Sequence, residues 1–457
     1  MKADRRHNTK NCIWLKMLVI LFWLFLWQIL AWVIGNKILL EGPIGVVKRL
    51  FCDLQTLEYY ETVGASVARI MGGVFCGVFL AVILGIFSWK NQVLELFCRP
   101  VIQFLKAAPI TCFVVLLLIW TGSENLAFYI ALLVAFPPVY LNLLEGLKQL
   151  DEKLMEVAKV YHMPFKNRWN YIYLPGVKSY FTTALGLAVG MAFKAGVAAE
   201  IIGTPAFSMG ERIYMSKIYL ETDGVLSWML TVILVSFVCE KLVLKVVKMF
   251  LDRKVVPAKC KKQEKIAQDI NLTVENCKVS YDENVVLENL NAVFEASKVY
   301  AITGSSGIGK TTLLKLLWGL KRTEEGLVLG NQVISAGVFQ ENRLFEEHNA
   351  VDNVLATGCC MQKEQIMEAL QKILPADCLN KPVKEFSGGM KRRVEIVRAM
   401  LSKSPVILMD EPFSGLDEKT KKETMDFINE YRNDKMILFT THCAGDINGL
   451  KAEEFKL

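Results

Sequence analysis

The twelve cysteines form no CxxC pair and keep no recurring spacing. That excludes a zinc ribbon or a disulfide framework, both of which need repeated spacing. Small apolar packing in a membrane helix or a reduced cytosolic core is the expected use. The adjacent Cys359 and Cys360 read as helix packing rather than redox chemistry. Internal repeats and low-complexity tracts are also absent, so no repeat array organises the chain. No small-residue cleavage site follows the first apolar run, which is longer than the roughly 7–15 residues of a signal-peptide core. With Lys2, Arg5, Arg6 and Lys10 ahead of it, that run reads as an uncleaved membrane helix.

Apolar residues are abundant, at 53% of the chain, and they crowd its first half. A helix crossing a bilayer needs roughly 20 of them. Six stretches qualify: 12–34, 64–88, 98–120, 125–145, 178–203 and 224–249. With the N-terminus inside, the inner segments hold Lys90, Arg99, Lys148, Lys153, Lys159, Lys166 and Arg168 besides the N-terminal group. Lys254, Lys259, Lys261, Lys262 and Lys265 follow the sixth stretch, whereas the outer segments hold only Lys37, Lys48, Arg49, Arg212 and Lys217. This bias places the N-terminus and everything after the sixth helix in the cytoplasm. The formal charge of +7 is then topology: membrane lipids are expected partners and nucleic acid is not. Charged residues within spans are costly and usually functional. Lys106, Lys194 and Glu200 are the candidates for solute contact, and Arg69 reads as snorkelling.

Three domains are expected: an all-α six-helix membrane domain over 1–251, a lysine-rich linker over 252–268, and an α/β domain over 269–457. In the last, strands alternating with helices predict a mainly parallel sheet covered on both faces. Helices are expected at 313–320, 364–373 and 390–401, and a last buried strand at 436–440.

Two motifs in that domain carry phosphate chemistry. Gly304-Ser305-Ser306-Gly307-Ile308-Gly309-Lys310-Thr311 follows the apolar run Val299–Ile302, the place of a phosphate-binding loop between strand and helix. Its amides close around phosphates, Lys310 reaches the terminal ones, and the Thr311 hydroxyl can hold Mg²⁺. Val406–Met409 then leads into Asp410 and Glu411, an apolar strand ending in the two carboxylates that usually accompany such a loop. Binding and hydrolysis of ATP is the expected activity.

Phe386-Ser387-Gly388-Gly389-Met390 resembles the signature motif of ATP-binding cassette (ABC) transporters, and the rest of that family's set follows in order. Gln340 matches the glutamine linking the nucleotide site to the membrane domain. Ser414-Gly415-Leu416-Asp417 matches the loop crossing the dimer interface, His442 the switch histidine, and Tyr281 the aromatic under the adenine. The resemblance implies that Thr312 and the loop contact nucleotide, that Thr311, Gln340 and Asp410 hold Mg²⁺, and that Glu411 is the base with His442 bracing the γ-phosphate. It also implies that Ser387 reaches the nucleotide of a second copy of the chain.

Glu156-Val157-Ala158, His162 and Ile172-Tyr173-Leu174-Pro175 resemble the cytoplasmic coupling loop of ABC importers, with Val157 for an alanine and His162 for a glycine. The segment 151–161 is amphipathic and suits a short docking helix. Residues 65–73, 118–122 and 197–203 are similar to permeases for nitrate, sulfonate and taurine, although those importers usually keep permease and ATPase on separate chains. The resemblance implies an importer subunit for a small polar solute of the sulfonate, nitrate, taurine or thiamine-precursor class, served by an extracytoplasmic solute-binding protein. An exporter half-transporter and a non-transporting ABC signalling device are the alternatives. The residues after His442 are too few for a regulatory domain, and none is expected.

Overall fold

The computed structural model describes residues 2–252, 271–281, 284–330 and 335–457. The expected linker, with its lysines from Lys254 to Lys265, lies outside the described residues apart from Asp252. Two compact units emerge, one from Met1–Gln149 with Val177–Arg253, the other from Leu150–Gly176 with Lys254–Leu457.

The first unit is helical. Its elements are α1 (Lys2–Ile34), α2 (Pro43–Asp53), α3 (Leu57–Lys90), α4 (Gln92–Ala107), α5 (Ile110–Lys148), most of α8 (Leu174–Gly203), α9 (Met209–Ile218) and α10 (Thr222–Leu251). Helices α3 and α5 pack closely because α3 presents small residues. A Cβ added at Gly73 would lie 2.1 Å from the Phe128 carbonyl oxygen, so only glycine allows this approach, as at many membrane helix crossings.

Among the described residues, four helical segments are long and apolar enough to cross a membrane: Trp14–Ile34, Leu57–Lys90, Ile110–Lys148 and Phe165–Gly203. The count of six therefore changes. The stretch 98–120 is not one helix, since α4 ends at Ala107 and α5 starts after Pro109. Proline has no N–H to continue a helix and pushes its predecessor to extended backbone, here Ala108 at ψ 134°. A second break falls at Gly122, with φ 72° and ψ 175°. The expected sixth span lies within α10, which carries Glu240, Lys241, Lys245 and Lys248 in its second half and is not among the four.

The second unit contains α6 (Glu152–Val160) and α7 (Phe165–Arg168), the latter running through a π-turn (Trp169–Tyr173) into α8. Strands β1 (Leu272–Tyr281), β2 (Asn284–Phe294) and β4 (Glu325–Leu329) form an antiparallel sheet in the order β2-β1-β4. Strands β3 (Val299–Thr303), β5 (Ser335–Val338), β6 (Val406–Met409), β7 (Met436–Thr440) and β8 (Glu453–Lys456) form a parallel sheet in the order β5-β6-β7-β3-β8. The runs VYAI, VILM and MILFT are buried throughout, as a parallel sheet covered on both faces requires. The helices are α11 (Lys310–Leu317), α12 (Ala350–Ala356), α13 (Lys363–Gln371), α14 (Gly388–Met400), α15 (Glu418–Tyr431) and α16 (Ala444–Leu450). Strand β7 is the last buried strand, and the largely exposed β8 pairs with β3 beyond it.

Cys359 and Cys360 lie past the end of α12, in a loop rather than a helix. Cys359 is a packing residue of the core, its thiol directed at the Leu401 carbonyl at 3.4 Å.

Candidate nucleotide site and coupling helix

Strand β3 delivers the chain into the loop 304–309, and α11 leaves it. Gly309 has φ 112°, and a Cβ there would come within 2.8 Å of the Leu287 side chain, so the turn into the helix requires glycine. The Lys310 ammonium donates to the carbonyls of Gly304 and Ser305, both at 2.9 Å. Ser305, Ser306, Gly307 and Ile308 are exposed along the loop, Thr311 is half-buried and Thr312 buried.

The neighbouring strand ends supply the carboxylates. Asp410, 2% exposed, donates its N–H to the Val338 carbonyl at 2.8 Å, which ties the end of β6 to β5. Thr440, at the end of β7, donates its hydroxyl to Asp410 Oδ1 at 2.7 Å and accepts the Glu411 N–H at 2.8 Å. One hydroxyl thus fixes both acidic residues. Glu411 has φ 45°, an uncommon conformation for a non-glycine residue and of the kind found at functional sites. His442 Nε2 stands 4.0 Å from its carboxylate, and both line a cavity of about 210 Å³ with Ser414, Lys421 and Thr441.

Gln340 follows β5, exposed, with its carbonyl and that of Phe339 held by Arg392. Tyr281 ends β1 and carries the Lys321 ammonium 4.3 Å from its ring centroid. Ser387 caps α14 by accepting the Met390 N–H at 3.3 Å, and a Cβ added at the neighbouring Gly388 would meet open space. Gly389 faces Leu416. Asp417 caps α15, accepting from the Thr420 N–H and hydroxyl at 3.1 and 2.7 Å, and these bonds hold its carboxyl below the usual range.

Within the same unit, α6 docks onto this domain. Asp151 caps it, accepting the Lys153 N–H at 2.9 Å. Val157, Ala158, Val160 and Tyr161 join the core, while Glu156 forms an ion pair with Arg343 and Lys153 one with Glu341. Lys159 donates to the Gly319 carbonyl at 2.6 Å and Tyr161 to that of Gly337 at 2.9 Å. The exposed His162 has φ 45°. That is the left-handed region where glycine is at ease, so the histidine keeps the turn that the glycine of the importer pattern would make. Ile172 is buried and Pro175 exposed at the start of α8.

A family model described as ABC transporter matches residues 287–414, and one described as binding-protein-dependent transport system inner membrane component matches 73–256. The ergothioneine transport ATP-binding protein EgtV of Helicobacter pylori (strain G27) is 33% identical over 37% of this chain and 87% of its own. The aliphatic sulfonates import ATP-binding protein SsuB of Yersinia pestis is 32% identical over 39% of this chain and 69% of its own. The chain belongs to the ABC transporter family. The lantibiotic transport ATP-binding protein SrtF of Streptococcus pyogenes is a further relative, 29% identical over 39% of this chain and 83% of its own. The protein is a membrane protein of importer type in which an ABC permease and an ATP-binding ABC ATPase are fused.

In the ABC permease unit, Arg69 does not snorkel. It faces Glu200 at 3.4 Å and Glu124 at 3.6 Å, and donates to the Phe207 carbonyl at 2.9 Å. Glu200 is fully buried and accepts the Ser66 hydroxyl at 2.8 Å and the Gly210 N–H at 3.3 Å. A charge that finds a buried partner has no reason to reach for the interface.

Sequence reasoning missed Thr440, Arg343, Arg392, Glu395 and Tyr161. Glu395 is fully buried beside Arg392 and Arg398, at 3.3 and 3.7 Å. The only signal was a glutamate among arginines in an otherwise amphipathic helix.

Proposed function

We propose that this chain is the core subunit of an ATP-driven importer, working as a homodimer with its N-terminus and ATPase in the cytoplasm. The solute is small and polar, of the sulfonate, nitrate, taurine or thiamine-precursor class, and an extracytoplasmic binding protein delivers it. The observation that carries this reading is the seating of α6, the segment that resembles the importer coupling loop, with Glu156 on Arg343 and Tyr161 in the core.

The geometry supports the residue roles that the resemblance implies. The loop amides and Lys310 cradle the phosphates, the ammonium exchanging loop carbonyls for more strongly charged oxygens. Thr311, Gln340 and Asp410 offer a hydroxyl, an amide carbonyl and a carboxylate, and one Asp410 oxygen is already fixed by Thr440. Such hard oxygens fit Mg²⁺, which would offset the charge of the phosphates there. Glu411 accepts the proton of the attacking water, and His442 braces the γ-phosphate beside it. Tyr281 lies under the adenine once Lys321 yields its face. The exposed amides at Ser387, Gly388 and Gly389 meet the γ-phosphate of the partner copy, and Asp417 lies on the crossing loop. Closure of the two ATPases moves Arg343, and Glu156 passes that motion to the permease.

The test is ATP-dependent uptake by reconstituted vesicles, with and without a binding protein. Accumulation on the ATPase side that depends on the binding protein supports the reading. Transport in the opposite direction, or without a binding protein, favours an exporter.

A further inference from the structure

Resting on the residue roles given above, we propose that Lys421 and Asp446 are positioning residues for ATP hydrolysis. Their ion pair ties the loop expected to cross the dimer interface to the turn that carries His442.

The crossing loop 414–417 leads directly into α15. Its Leu416 faces Gly389, close to the Ser387 cap, and Asp417 caps the helix. Lys421 lies one turn further on, its N–H donating to the Asp417 carbonyl at 2.8 Å. Its ammonium reaches Asp446 Oδ1 at 2.5 Å. That hydrogen bond raises the Lys421 pKa, so the ammonium keeps its proton across the physiological range.

Asp446 lies in the first turn of α16 and is 3% exposed. Its second oxygen accepts the Thr441 hydroxyl at 2.5 Å, and the same hydroxyl accepts the Cys443 N–H at 3.0 Å. Thr441 also donates its N–H to the Ile302 carbonyl of β3 at 3.3 Å. The residues on both sides of His442 are thus fixed by one hydroxyl, which Asp446 holds. His442 is itself half exposed, so the backbone of this turn sets where its ring lies. Lys421 and Asp446 line the same cavity as Glu411 and His442.

Stability alone does not call for this pair. A buried ion pair loses its hydration on folding, and apolar residues of similar size often stabilise as well or better. What the pair adds is direction: two charged groups in contact hold α15 and the His442 turn in one register. Phosphoryl transfer depends mainly on such positioning. A second copy that seats the crossing loop thereby sets α15, then Asp446 and, through Thr441, the residue that braces the γ-phosphate.

The full chain in lipid nanodiscs tests this by ATPase rate against ATP concentration, with thermal unfolding of each variant. Lys421→Met should lower kcat about tenfold or more while KM for ATP moves less than about twofold, since the phosphate cradle is unchanged. Lys421→Arg should keep most of the turnover. Lys421→Met also leaves Asp446 buried without its cation and should lower the unfolding temperature. The double variant Lys421→Met with Asp446→Asn removes both charges and keeps an oxygen for Thr441. It should regain the unfolding temperature but not the turnover. Turnover that returns together with stability, unaltered kcat in Lys421→Met, or KM rising in step with the loss would overturn the positioning role. His442→Ala separates this proposal from the roles it rests on. Near-unaltered turnover in His442→Ala would overturn those roles. An inactive His442→Ala beside a fully active double variant would overturn the pair alone.

Discussion

Glu395, fully buried in α14, accepts the backbone N–H of Arg343 at 2.5 Å. The guanidinium of the same arginine pairs with Glu156 on α6 and lies 3.9 Å over the Phe339 ring. Arg398 adds a bond to the Arg343 carbonyl at 2.7 Å and lies over the Tyr161 ring. The helix that opens with Ser387 is thereby joined to α6 through Arg343, and to its C-cap Tyr161 through Arg398.

Burial pushes the Glu395 carboxyl up, and Arg398 and Arg392 pull it back down. Glu395→Ala should destabilise the protein by roughly 3–5 kcal/mol, because it leaves buried arginines without a counter-charge. Glu395→Gln keeps an acceptor for the Arg343 N–H and should cost less. Thermal unfolding of the two variants decides it, and equal losses would contradict the charge argument.

Glu411→Gln should keep ATP binding and lower turnover by orders of magnitude, since the water loses its base while the phosphate cradle survives. Lys310→Ala should weaken nucleotide binding itself. Thr440→Val should lower turnover at near-normal ATP affinity, because it frees both Asp410 and Glu411. ATPase rates and ATP affinities of the solubilised variants separate the three. Near-normal turnover in Glu411→Gln would remove Glu411 from its role.

Each ATP is expected between Lys310 of one copy and Ser387 of the other. Dimers mixing Lys310→Ala with Ser387→Arg chains should regain one intact site of two. Co-purified mixed dimers should therefore be partly active where each parent dimer is inactive. A fully active monomer would contradict the arrangement.

Acid should loosen the unit that holds α6. His348 packs against Tyr171, ring centroids 4.6 Å apart, and burial lowers its pKa while Asp352 and Glu347 oppose that shift. A histidine held neutral contributes stability that is present above its ordinary pKa of about 6.5 and lost as pH falls through the lower folded value. Unfolding measured from pH 7.5 to 5 should show stability falling with pH, and His348→Asn should flatten that slope. An unchanged slope in the variant would assign the acid response elsewhere.

The phosphate loop and the all-apolar strands were legible because their signals are local: glycines at a turn, an unbroken buried run, carboxylates at its end. Helix α6 was legible for the same reason. The break at Ala108–Pro109 was not, since apolar content is the same on either side and hydropathy does not register a dihedral angle, whereas the break at Gly122 falls in the gap between the stretches 98–120 and 125–145. Pro109 was the sign that the stretch 98–120 is divided. Strand β8 escaped notice because Glu453, Glu454 and Lys456 look like a solvated tail, yet their backbone completes the edge beside β3. Arg69 with Glu200 and Arg343 with Glu156 are pairings between residues far apart in sequence, and no periodicity announces them.

The central claim is that α6 links ATP hydrolysis to solute movement through Glu156. Vesicles reconstituted with the binding protein report uptake and ATPase rate together. Glu156→Ala, or Ala158→Asp at the buried face beside it, should abolish uptake while basal hydrolysis stays largely intact, because the nucleotide site is untouched. Uptake at the unaltered rate in both variants would contradict the account.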